Sequence, residues 1–206
     1  MKKGGLMKND EYLKNEGQSR INSDITDFCR QIGDIKTIKD LKKVDRAIVD
    51  YLSFDSTTPK FSRSVIDIFE SKTYSGCSDV GLFVSAILRE KGIPTVFVET
   101  ANVHWLKAER EESSKQRPMQ GHIFLEVLIG DKWYLYDPTH RCYYLNYNRN
   151  NDNYPNNYYV FSKNLNCNNH GVLNVEDEKR EALEKLKKFN ADTYVEPDYK
   201  KVSLKN

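Results

Sequence analysis

A thiol, an imidazole and a carboxylate that meet in a folded chain can carry out acyl transfer, and Cys77, His122 and Asp137 are spaced to do so. The thiolate attacks a carbonyl carbon, the imidazole takes and returns a proton, and the carboxylate fixes the tautomer of the imidazole. Ser75 and Gly76 precede Cys77, and Val80, Leu82, Phe83, Val84, Ala86, Ile87 and Leu88 follow it. A stretch that is apolar all round reads as a helix buried inside a domain. Cys77 then falls in the first turn, where free N–H groups and the macrodipole favour an anion. Gly76 leaves room for a substrate backbone to approach. Asp79, in the same turn, would oppose a thiolate if it pointed that way, and the sequence leaves its direction open.

The imidazole and the carboxylate fall on a predicted hairpin. Residues 121–129 and 132–137 alternate like strands around Gly130-Asp131, a two-residue pair suited to a tight turn. That turn pairs Ile129 with Lys132, Leu125 with Tyr136, Phe124 with Asp137 and His122 with Thr139. His122 and Asp137 become diagonal neighbours on one face, about 7–8 Å apart at the backbone and within side-chain reach. Ile123, Leu125, Val127 and Ile129 occupy the opposite face, so a one-residue slip would expose all four.

The remaining elements must hold these two pieces together. Ile21, Ile25, Phe28 and Ile32 recur at helical spacing, and Leu41, Val44, Ile48, Tyr51 and Leu52 do so after a capping box of Thr37 and Asp40. Val65, Ile66 and Phe69 predict a third, shorter helix before Gly76, while Gly92-Ile93-Pro94 ends the helix of Cys77 and leads to a strand over 95–100. Residues 101–120 lack apolar rhythm and read as a long polar loop, and the Asn-rich 146–157 as an irregular one. Tyr158 to Phe161 returns as a strand, and Ala182, Leu183, Leu186 and Phe189 mark a C-terminal amphipathic helix.

Composition excludes several classes of function. Lys+Arg 32 against Asp+Glu 30 leaves a net charge of +2, no basic excess of the kind that binds nucleic acid or a membrane surface. The sequence contains no apolar run of membrane-spanning length, and Met1-Lys2-Lys3 is followed by Lys8, Asn9, Asp10 and Glu11 instead of an apolar signal core. The expectation is a cytoplasmic protein. Cys29, Cys77, Cys142 and Cys167 show no C-x-x-C spacing, so they are expected to be free thiols; His140 with Cys142, and His170 with Cys167, are too few as zinc ligands. Neither a metal nor an organic cofactor is expected.

Gly76-Cys77-Ser78-Asp79 opening a buried helix, Gly92-Ile93-Pro94 before a strand, Gly121-His122-Ile123-Phe124-Leu125-Glu126-Val127, and Trp133-Tyr134-Leu135-Tyr136-Asp137-Pro138-Thr139 together resemble the core of the transglutaminase-like superfamily, a branch of the papain-like cysteine fold. The resemblance covers roughly residues 60–162. It implies Cys77 as nucleophile, His122 as general base and acid and Asp137 as orienter, acting on an amide of a protein or peptide through a thioester that water or an amine resolves. The Trp that follows the nucleophile in classical transglutaminases is replaced by Ser78, and Trp105 and Trp133 both lie downstream of Cys77. Beyond the N–H of Cys77, Tyr74 is the candidate for the second oxyanion donor; Trp105 either lines the cleft or anchors its loop. The expected fold is α+β, a helix bearing the nucleophile packed on an antiparallel sheet. An N-terminal helical segment (1–59), a catalytic core (60–162) and a C-terminal helical extension (163–206) make up the expected organisation. The leading function is a cysteine-dependent hydrolase or acyltransferase; the alternative is a catalytically silent module that binds a peptide.

Overall fold

A computed structural model describes residues 9–111 and 117–205. Most of the polar N-terminal stretch, and residues 112–116 of the expected 101–120 loop, lie outside these described residues. The chain folds as α+β, with helices first and an antiparallel sheet after them. Helices α1 (Ser23–Gln31), α2 (Leu41–Tyr51) and α3 (Val65–Ser71) surround the apolar α4 (Cys77–Glu90), and the short strands β1 (Ser53–Phe54) and β2 (Thr73–Tyr74) pair in parallel. The local chemistry explains the boundaries. Asn22 and Ser64 accept from the backbone N–H groups of Ile25 and Asp67, and Thr37 with Asp40 forms the expected capping box.

Strand β3 (Thr95–Asn102) runs to helix α5 (Val103–Glu111), which is followed by β4 (Gly121–Ile129), β5 (Lys132–Asp137), β6 (Cys142–Leu145), β7 (Asn153–Tyr154) and β8 (Tyr158–Asn164). Helix α6 (Val175–Lys185) and strand β9 (Lys200–Ser203) complete the chain. The larger sheet has the order β7-β8-β3-β4-β5-β6-β9, antiparallel throughout, and its hairpin has the expected register, with Ile129 opposite Lys132 and Leu125 opposite Tyr136. One face packs Phe97, Ile123, Leu125, Val127 and Tyr136 against α4.

Three features differ from expectation. Residues 103–111 are helix where a loop was expected, because Asn102 Oδ1 accepts from the N–H groups of His104 (3.0 Å) and Trp105 (3.1 Å) and caps them. Asn9–Leu13 form a 3-10 turn that inserts Tyr12 into the core instead of a loose terminus. The C-terminal extension is also not only helical, since β9 pairs with β6 at the sheet edge. The second face of the sheet is closed by tyrosines from the Asn-rich region. Tyr147 and Tyr154 hydroxyls donate to the fully buried Glu126, whose charge Arg149 (2.7 Å) and Lys163 (2.8 Å) neutralise.

Candidate active site

Cys77 is the first residue of α4, and its N-cap is Gly76, which has no side chain with which to cap the helix. The capping side chains at α1, α3 and α6 have no counterpart here, so the first N–H groups of α4 and the positive end of its dipole are left for an anion. The direction of Asp79 is resolved by three bonds to its Oδ2. The backbone N–H of Ser75 (2.7 Å), the hydroxyl of Ser75 (2.8 Å) and the guanidinium of Arg63 (2.5 Å) all donate to it. The carboxylate therefore turns back from the sulfur, is neutralised by Arg63, and ties down the loop that presents Cys77. Arg63 also grips the hydroxyl and carbonyl of Thr73, which joins α3, β2 and α4 into one support.

His122 is buried at the start of β4, and its Nε2 lies 3.0 Å from Oδ2 of the fully buried Asp137. The Cys77 sulfur lies on the other side of the imidazole, toward Nδ1, the nitrogen that Asp137 leaves open. Burial works against a charged imidazole, but the hydrogen bonds and charges of Asp137 and Cys77 outweigh it and push the pKa of His122 up to about 10. Asp137 shows the reverse balance. Burial raises it, yet the bonds to His122 and His140 hold it well below the usual carboxylate range. Tyr158 closes one side, its ring 5.4 Å from that of His122.

His140 carries no sequence signal for this site, because its partner is neither a strand neighbour nor a cysteine. Asp137 begins a turn in which the N–H of His140 meets Oδ1 (3.0 Å) and Nδ1 of His140 meets Oδ2 (2.7 Å). Two imidazoles thus share one carboxylate oxygen, with ring centroids 5.0 Å apart, the His122 side chain buried and the His140 side chain 54% exposed. The three ligand atoms lie within 4.8 Å of one another, but separations of 2.7 and 3.0 Å are hydrogen bonds, shorter than the roughly 3.3 Å between ligands around a tetrahedral zinc with 2.0–2.1 Å bonds. His140→Ala removes one of the hydrogen bonds that hold the Asp137 carboxylate low, so the loss of thermal stability as pH falls is expected to begin at higher pH than in the wild type. An unmoved acid transition would show that the exposed imidazole is idle.

The other candidate residues take distinct places. The side chain of Tyr74 packs against Phe54 (5.6 Å) and the edge of the core, and Lys60 lies over Gly76. Trp105 is buried, 3% exposed, among Leu106, Phe161, Ala182 and Leu186. Gly121 is required by close approach, since a Cβ there would stand 2.3 Å from Oε1 of Glu178 on α6. Burial and the charge of Glu99 push Glu178 up to about 8. His170 Nε2 stands 3.0 Å from Oε2 of Glu99, and among the described residues the cluster of potential metal-ligating side chains contains His140 but not Cys142, Cys167 or His170. Burial raises the pKa of Cys29 and of Cys142 to about 11 and holds that of Cys167 well above the usual thiol value, which keeps all three as thiols at neutral pH.

No curated protein matches the sequence. Among solved structures, a candidate cysteine protease from Cytophaga hutchinsonii superposes with a TM-score of 0.47 at 16% identity, over 78% of this chain and 53% of that one. This chain therefore spans about half the length of that structure. The sequence pattern described as the transglutaminase-like superfamily matches residues 26–138, more than half of the chain and a span that contains Cys77, His122 and Asp137. By that match the chain belongs to the transglutaminase-like superfamily.

Proposed function

We propose that the protein is a cysteine-dependent acyl-transfer enzyme that hydrolyses an amide bond in a protein or peptide. The observation that carries this reading is the meeting of Cys77, at a helix N-terminus without a side-chain cap, with an imidazole whose far nitrogen is held by a buried carboxylate. His122 acts as the base that takes the proton of the Cys77 thiol. The sulfur attacks the carbonyl carbon, the carbonyl π electrons move to oxygen, and the N–H of Cys77 faces that oxyanion. Collapse of the tetrahedral intermediate breaks the C–N bond while His122 passes its proton to the departing nitrogen, which leaves a thioester and a free amine. Water, losing a proton to His122, then attacks the thioester and releases the acid and the thiolate. An amine in place of water would give transamidation, with the same residues in the same roles.

Iodoacetamide at neutral pH is expected to alkylate Cys77 at least about 100-fold faster than Cys29, Cys142 or Cys167, all buried with raised pKa. His122→Ala should slow that reaction while leaving the other three cysteines unchanged. Equal rates at all four would sink the enzyme and leave a peptide-binding module. Ammonia release and incorporation of a labelled primary amine, each measured against Cys77→Ala, separate hydrolysis from transamidation.

A further inference from the structure

A cavity that the catalytic groups do not line lies between α2, α4 and the turn after β5. Its volume is about 140 Å³, room for a short side chain. Val80 and Val84 form one wall. They follow Cys77 at i+3 and i+7, so they share its stripe of α4, and Val80 stands about one helical turn along the helix from Cys77. Ile48 and Leu52 of α2 face them, and Tyr74, two residues before Gly76, forms a side. Pro138 and Thr139, between Asp137 and His140, form another. The two segments that present the nucleophile and the orienter thus bound the same space.

Its polarity is specific. Tyr136 lines the cavity, is fully buried, and its hydroxyl has no hydrogen-bond partner among the described residues. A buried hydroxyl left without a partner is costly, so one that lines a cavity points to something bound there. The charged groups at the rim cancel. Asp45 accepts from Nε of Arg141 through both oxygens (2.9 Å each) and from Nη2 (2.8 Å), which leaves neither free for an ionic ligand. Arg141 sits in the left-handed region with φ 58°, a conformation that this turn imposes on a non-glycine residue.

We propose that this cavity receives a side chain of the substrate next to the attacked amide, and that it selects an uncharged chain with an aliphatic stem and a hydrogen-bonding end. The stem lies along Val80, Val84, Ile48 and Leu52, and the end pairs with the hydroxyl of Tyr136. This inference rests on the acyl-transfer reading, since it makes the cavity the neighbour of a reacting thiol.

Chloroacetamides with different groups on the amide nitrogen test it. Relative to unsubstituted chloroacetamide, a 3-carboxamidopropyl group is expected to accelerate alkylation of Cys77 at least tenfold, whereas 3-carboxypropyl and 4-ammoniobutyl groups give no acceleration. Tyr136→Phe should remove the advantage of the carboxamide over an n-pentyl chain. Val49→Trp, at a half-exposed rim position, should abolish acceleration by both while leaving the unsubstituted reagent unaffected. Equal rates for neutral and charged chains, or variants that leave the pattern unchanged, overturn the pocket. Loss of Cys77 selectivity toward the unsubstituted reagent instead overturns the catalytic reading. The pocket is then judged in Cys77→Ala from butyramide-induced shifts of the Val80 and Val84 methyl NMR signals, whose absence overturns it too.

Discussion

Asp137→Asn is expected to lower turnover about 10,000-fold with the fold retained. Both oxygens of this carboxylate are committed, Oδ1 to the N–H of His140 and Oδ2 to the two imidazoles. An amide cannot reproduce both sides. If its oxygen stays on the backbone N–H, its NH2 faces Nε2 of His122, which must then become an acceptor and carry its proton on Nδ1, against the sulfur. That tautomer cannot take the thiol proton. If the amide flips, its NH2 meets the N–H of His140, a donor against a donor on a fully buried side chain. Alkylation of Cys77 should slow in parallel, and a loss of less than about tenfold would remove Asp137 from the machinery.

The same pair sets a pH signature for stability. The pKa of Asp137 is lower in the folded state than unfolded, so its contribution is present above the usual carboxylate pKa and is lost as pH falls toward its depressed value. The pKa of His122 is raised in the folded state, so its contribution is complete below about 6.5 and is lost as pH rises through about 10. Both are present together between about pH 4 and 6.5. Thermal melts of wild type and Asp137→Asn across pH should differ most in that window.

Arg63→Ala is expected to destabilise the protein by about 3–5 kcal/mol, because it leaves the carboxylate of Asp79 charged and buried without its cation. For a chain of this size that corresponds to a fall in Tm on the order of 10 °C. The effect should reach the thiol as well. With Arg63 absent, a negative charge two residues from Cys77 is no longer neutralised, and iodoacetamide should react more slowly at that position. Arg63→Ala with Asp79→Asn should recover part of the stability, since the second change removes the stranded charge. A double variant as unstable as the sum of the two would show that the pair is not coupled.

The parts of this molecule that local chemistry dictates were legible before folding. The Gly130-Asp131 turn set the register that brings His122 to Asp137, and the apolar girdle after Gly76 marked α4 and placed Cys77 at its first turn. What was not legible depends on partners distant in sequence. The orientation of Asp79 is decided by Arg63, sixteen residues earlier. Helix α5 escaped periodicity because Val103, Trp105 and Leu106 bury only one turn, against Ala182 and Leu186 of the C-terminal region. His140 lacked a signal because its role comes from the turn after Asp137 and from no repeat. Strand β9 carries two lysines and no alternating pattern, so only its ladder with β6 defines it.

That last ladder orders the assembly of the site in time. The N–H of Leu204 donates to the carbonyl of Arg141 (2.8 Å), and Ser203 pairs with Cys142, so β9 fastens the end of the turn that carries Asp137 and His140. A ribosome adding about 5–20 residues per second makes residue 204 several seconds after residue 141. During that interval the nucleophile, its helix and the β4–β5 hairpin have all been synthesised, but the turn beyond Asp137 is not yet fastened at its far end. The growing chain therefore carries Cys77 well before the turn beyond Asp137 is fastened, which happens only once β9 has been made.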